Sequence, residues 1–332
     1  MELADSKDDS SIPAVLVIIY RRFRNLVTIT EAIAAARIPR LYLAVDVPPK
    51  NLQTREYLLE RDEALQILRN MCKAKSIELY IWMRRENLGC ARSVLSACQW
   101  FYKNEEYGAV LEDDCIPTLE FFEFAQQNRK VLENHKEIYF ICGTQHANVK
   151  ASSKSIPYLM TSYPFLWGWA TSREKWTQII EVFLQNRDYK AHSSKSKREI
   201  FYWRTGIRRA LQRRVDVWDT IIVGFMSLNS IFAILPLRNL IDNQGLDEFA
   251  TNHIEDNAKK TWDIVVQTDN VWQELEFVDA SIRRNFLKIT WLIPARNLLR
   301  LVLDLVTPTK QIPLPEKLVQ DFQEIPLANT KS

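Results

Sequence analysis

The feature that most constrains the fold is a pair of short, uninterrupted apolar runs, Ala14 to Tyr20 (AVLVIIY) and Arg40 to Val45 (RLYLAV). A segment of helical spacing from about Asn25 to Arg37 separates them. A strand that is apolar at every position must be covered on both faces, and strand, helix, strand with short connections is the pattern of parallel pairing. The same beat continues. Arg55 to Lys73 reads as a helix, Ser76 to Met83 as a strand, Arg92 to Lys103 as a helix and Tyr107 to Leu111 as a fourth strand. Residues 117–135 read as one helix opening on Pro117 and Thr118, and Ile138 to Cys142 as a fifth strand. The expected fold is therefore α/β, a doubly wound, mostly parallel sheet. Such sheets bind ligands beyond the carboxyl ends of their strands. Asp46, the turn from Arg84 to Gly89 and Glu112-Asp113-Asp114 all fall at that edge.

Glycine is scarce, with 7 in 332 residues against about 23 at average usage, and no two lie two or five positions apart. Neither G-x-G-x-x-G nor a P-loop can be written from them, so backbone-made phosphate cradles of both kinds are excluded. With 44 Lys plus Arg against 41 Asp plus Glu, the net charge of +3 does not point to nucleic acid. The five cysteines, Cys72, Cys90, Cys98, Cys115 and Cys142, contain no C-x-x-C pair and read as reduced core thiols. The acidic, polar first ten residues carry no signal-peptide pattern, and a cytoplasmic setting is expected. Thr220 to Leu237 has 18 residues without a charge, but its polar residues and Pro236 favour a buried helix followed by a strand over a membrane span.

Four regions are expected: a disordered leader at 1–12, an α/β half at 13–150, a second half of the same domain at 151–257, and a helical, basic tail with a loose Pro-containing end at 258–332. Past residue 150 the strand–helix beat is lost. The basic stretch from Lys195 to Arg214 is interleaved with Phe201, Tyr202 and Trp203, and Arg283 to Arg300 has similar character. Each is either a solvated face or a contact with anionic lipid on the inner face of the plasma membrane.

Three adjacent carboxylates repel one another. Two readings follow for Glu112-Asp113-Asp114: two of the acids cap a helix starting near Pro117, or the group binds Mg²⁺ or Mn²⁺, which needs only one or two protein carboxylates and takes its other ligands from water and phosphate. The set formed by Tyr20-Arg21-Arg22-Phe23-Arg24-Asn25, Asp46, Asn87-Leu88-Gly89-Cys90, Glu112-Asp113-Asp114 and Trp167-Gly168-Trp169-Ala170 resembles the type A nucleotide-diphospho-sugar glycosyltransferases. Within them it is most similar to bacterial members akin to the N-acetylglucosaminyltransferase that starts branching of eukaryotic N-glycans. The likeness spans about residues 13–253, and it implies a nucleotide-sugar-binding half at 13–150 and an acceptor-side half at 151–257.

The resemblance implies that Asp114 binds the metal bridging the donor diphosphate, that Glu112 and Asp113 reach the donor sugar and ribose, and that Asp46 accepts a hydrogen bond from the nucleobase. Arg21 would lie near the nucleotide, and Asn87 belongs to the donor-binding set. Trp167, Gly168 and Trp169 are either core or the apolar wall of a sugar site. His253 is a further candidate for the metal or diphosphate, although Asn252 separates it from the Ala-Thr pair that it directly follows in the relatives. Asp219, after Trp218, is the candidate base, with Asp216 as rival and a helix N-terminal acid as the plain reading. The implied activity is metal-dependent transfer of a sugar from a nucleotide diphosphate to a hydroxyl on an envelope glycan or lipid-linked acceptor, with inversion. The rivals are a sugar nucleotidyltransferase, which the glycine-free loop Tyr20 to Asn25 disfavours, and an inactive glycan-binding scaffold.

Overall fold

The computed structural model describes residues 12–145, 147–151, 158–184, 197–211, 218–245 and 262–266. In chain order the elements are β1 (Ala14–Ile19), α1 (Asn25–Ala35), β2 (Arg40–Val45), α2 (Arg55–Ala74), β3 (Glu78–Met83), α3 (Cys90–Asn104), β4 (Tyr107–Glu112) and β5 (Cys115–Pro117). They continue with α4 (Leu119–Gln127), α5 (Arg129–Asn134), β6 (Ile138–Cys142), β7 (Ala147–Ala151), β8 (Leu159–Thr161), β9 (Trp169–Ser172), α6 (Arg173–Leu184), α7 (Lys197–Leu211), α8 (Asp219–Asn229), β10 (Phe232–Leu235), β11 (Ile241–Asn243) and β12 (Trp262–Val266).

Eight strands form one sheet in the order β3-β2-β1-β4-β9-β6-β10-β8. Strands β1 to β4, β6 and β10 run one way; β9 and β8 run against them. The mostly parallel α/β expectation thus describes the sheet. Alternation along β1 explains its double burial. Ala14, Leu16 and Ile18 face a core shared with α3, α6, α7 and α8, while Val15, Val17 and Ile19 face a second core shared with α1, α2, α4 and α5. Full burial of an aliphatic side chain contributes about 1.5–3 kcal/mol relative to exposure, so this central strand supports both layers. Four of the five cysteines are buried, Cys90 is half-buried and all are free thiols.

Several expectations need correction. Residues 117–135 are not one helix: the chain first adds the short strand β5, then forms α4 and α5 with a break at Asn128. The beat lost after residue 150 hides two strands of the main sheet, β8 and β9, with β9 inserted between β4 and β6, whereas Thr220 to Leu237 forms a helix and then a strand, α8 and β10, as its pattern implied. Trp262 to Val266, inside the expected helical tail, is a strand paired in parallel with β7. Residues 1–11 of the leader, Asp216, His253 and the basic segment Arg283 to Arg300 lie outside the described residues, while Ile12, assigned to the leader, is buried in the core. Among the described residues no helix is long and apolar enough to cross a membrane.

Candidate functional site

The parallel strands deliver their carboxyl ends to one edge of the sheet. There β1 runs into Tyr20, β2 into Asp46, β3 into Arg84 and β4 ends on Glu112. Antiparallel β9 starts at that same edge, because Trp169 pairs with Val110 of β4 and Cys142 of β6.

The triplet splits into three tasks. Asp113 turns back into the loop after β1, where one oxygen accepts the backbone N–H groups of Tyr20, Arg21 and Arg22 at 2.9, 3.0 and 3.1 Å. The other meets the Arg22 guanidinium at 3.3 Å, and the Asn25 amide donates to the Asp113 carbonyl at 2.8 Å. Converging N–H groups of this kind form a natural anion cradle; here the protein's own carboxylate fills it. Asp114 accepts the Cys115 thiol at 3.3 Å and lies 3.6 Å from Arg22 Nη1. Its carboxyl is raised, first by burial and then by the charge of Asp113. Glu112 is half-buried and receives the Trp218 indole N–H. Burial pushes it well above the ordinary carboxylate range, followed by the charges of Asp114, Asp113 and Asp219. None of the three caps α4, which starts after Thr118 on the far side of β5, so the capping reading of the triplet is overturned.

Asp219 therefore lies close enough to Glu112, the last residue of β4, for its charge to be felt there. It opens α8 and accepts the Thr220 backbone N–H at 2.6 Å, as a helix N-terminal acid does. Asp219 is an exposed residue, and desolvation by the surrounding protein raises its carboxyl above the ordinary aspartate value. A reachable acid with a raised carboxyl has the character a general base needs.

Asp46 is buried and accepts the N–H groups of Val47 and Leu88 at 2.9 and 3.4 Å. Burial raises its carboxyl, opposed by these bonds and by Arg84. Asn87 donates to the Val47 carbonyl at 2.7 Å and so braces the loop around Asp46. Arg21 is half-buried in the β1–α1 loop, near Tyr20 and Tyr57. Trp167 is half-buried and stacks on Phe165 at 5.0 Å. Trp169, expected beside it as a wall, is instead 1% exposed and packs against Phe140, Trp176 and Trp218 in the core. Gly168 adopts φ +66°, and an added Cβ would meet Ile241 Cδ1 at 2.5 Å, so glycine is required where the chain turns into β9.

Sequence reasoning did not assign roles to Arg22, Trp218 or Cys115. Gly245, just past β11, is a further such residue. Its backbone lies against the Asp114 carboxylate, and any Cβ there would collide with Oδ2. Among the described residues, no group of three or more His, Cys, Asp or Glu side chains is arranged to hold a metal ion.

The chain matches no family model and no curated protein. Among solved structures, the crystal structure of apo UDP-glucose pyrophosphorylase is similar with a TM-score of 0.32 and 7% identity, covering 67% of this chain and 90% of that one.

Proposed function

We propose that this protein is a metal-dependent glycosyltransferase that moves a sugar from a nucleotide diphosphate to a hydroxyl acceptor with inversion, the acceptor being an envelope glycan or lipid-linked oligosaccharide. The observation that carries the reading is that Glu112, at the carboxyl end of β4, lies within electrostatic reach of Asp114, Asp113 and Asp219. The β1–α1 amides that could otherwise hold phosphate are already taken by Asp113.

The donor set fits a hard divalent cation. Asp114 offers carboxylate oxygen beside two further acids, and Mg²⁺ or Mn²⁺ completes its shell with water and phosphate oxygens rather than with a third protein ligand. When bound, such an ion neutralises charge on a departing diphosphate. Asp114 would hold it, with His253 as a second candidate. Asp46 and Asn87 shape the donor-side loop, and Arg21 and Trp167 border the same edge. In the transfer step the acceptor hydroxyl gives its proton to the Asp219 carboxylate while its oxygen bonds to the anomeric carbon. The bond from that carbon to the diphosphate oxygen breaks, and its electron pair leaves with the diphosphate. One base opposite the leaving group inverts the centre.

The test is thermal unfolding with Mn²⁺ and a panel of nucleotide sugars, followed by transfer assays with the stabilising donor. A true donor raises the midpoint. Asp114→Asn should remove that shift, whereas Asp219→Asn should keep it and lose transfer by about 100-fold or more. A Mn²⁺-dependent shift that survives Asp114→Asn would rule out the metal role. Pyrophosphate release from a nucleoside triphosphate and a sugar phosphate would identify a nucleotidyltransferase instead.

A further inference from the structure

The short ribbon of β5 and β11 lies outside the main sheet, and its contacts close around one carboxylate. Cys115 of β5 pairs with Asn243 of β11, and the Gln244 N–H donates to the Asp114 carbonyl at 2.8 Å. The Asn243 side chain divides its two ends. Its oxygen accepts the Gly245 N–H at 2.8 Å, and its Nδ2 approaches the Cys115 sulfur at 3.9 Å. With an N–H directed at the sulfur, the thiol's own proton is left to point at Asp114 Oδ1, 3.3 Å away. On the other side Oδ2 lies 3.6 Å from Arg22 Nη1, and a Cβ on Gly245 would collide with it. One oxygen therefore takes the thiol and the other lies between the Arg22 guanidinium and the Gly245 turn, which gives the carboxylate a preferred orientation.

We infer that the β5–β11 ribbon is a clamp that fixes the Asp114 carboxylate for cation binding, with Cys115, Asn243 and Gly245 as its positioning residues. This rests on the metal role given to Asp114 above. The physical reason is general: groups that hydrogen-bond a ligating carboxylate fix its orientation, and their loss typically weakens metal affinity by about 10- to 100-fold. Each residue has its own task. Cys115 supplies the proton, Asn243 directs it, and Gly245 leaves the space that holds Oδ2 in place. Asn243, at the end of β11, and Gly245, in the turn after it, are half-buried, so substitutions there can be read without dismantling a core.

The experiment titrates Mn²⁺ into the full chain and follows loss of the free-ion paramagnetic signal, with metal-free unfolding midpoints measured in parallel. Gly245→Ala and Asn243→Ala should each weaken Mn²⁺ binding by about 10-fold or more with the metal-free midpoint little changed. Cys115→Ala should do the same, and Cys115→Ser, which restores an O–H donor, should recover most of the affinity. Wild-type binding lost in Asp114→Asn but unchanged in Gly245→Ala and Asn243→Ala would overturn the clamp while leaving the metal reading intact. Wild-type protein that binds no Mn²⁺, or Asp114→Asn that binds as well as wild type, would overturn both.

Discussion

Asp113 directs its carboxylate into the β1–α1 loop, whereas Asp219 is an exposed residue at the start of α8. Asp219 must be ionised to act as a base, and burial holds it above the ordinary value of 3.8. Transfer should therefore fall on the acid side through an apparent pKa higher than that, visible in the pH profile of kcat and absent from Asp219→Asn. An acid limb at or below the ordinary aspartate value would exclude Asp219 as the base. The acidic triplet was legible in the sequence as a set, because three adjacent carboxylates after an apolar run are costly without a partner. Its division of labour was not legible. Where a strand ends, each successive residue points a different way, and which acid meets the β1–α1 loop depends on a segment 91 to 93 positions away. The same alternation separates Trp167 from Trp169: two positions apart, one ring stacks at the edge and the other is sealed in the core.

At the scale of elements, the continuous apolar runs were read almost to the residue. The boundaries of β2 and β6 coincide with the expected Arg40 to Val45 and Ile138 to Cys142. Strand β9 could not be read in that way. Its four residues, Trp169 to Ser172, include buried Thr171 and Ser172, so it has no apolar run to announce it; Thr171 satisfies its hydroxyl on the Tyr139 carbonyl. Strand β4 shows how tightly the layers meet. A Cβ on Gly108 would lie 2.7 Å from the Ala14 carbonyl oxygen and would overlap the Phe101 ring. Gly108→Ala should therefore destabilise the fold by about 1–3 kcal/mol, the usual cost of overpacking, measurable as a lower denaturant midpoint. An unchanged midpoint would show that β4 and α3 separate more easily than their packing implies.

Across the whole molecule, the two edges of the sheet have different work. The carboxyl edge gathers the acids, the glycine turn and the half-buried Trp167. At the opposite edge, where β2 starts and α3 ends, Glu105 accepts from Arg40 Nε and Nη2 at 2.6 and 2.8 Å and from the Tyr42 hydroxyl at 2.9 Å. Arg40 is 33% exposed, so removing its partner should cost about 2–3 kcal/mol, less than breaking a fully buried pair. Glu105→Ala should thus lower the unfolding midpoint and leave Mn²⁺-dependent donor affinity unchanged at a temperature where the variant is folded. A loss of affinity there would show that the two edges are coupled. The insertion of β9 between β4 and β6 also has a consequence in time. As the chain emerges from synthesis, β1 to β4 can pair among themselves, but the outer border of β4 stays without a neighbour until residues 169–172 arrive. Pairing at such sequence separation is slow because loop closure must precede it. During that interval the nascent half-sheet presents an open, apolar strand, and its escape from aggregation depends on how quickly the second half follows the first.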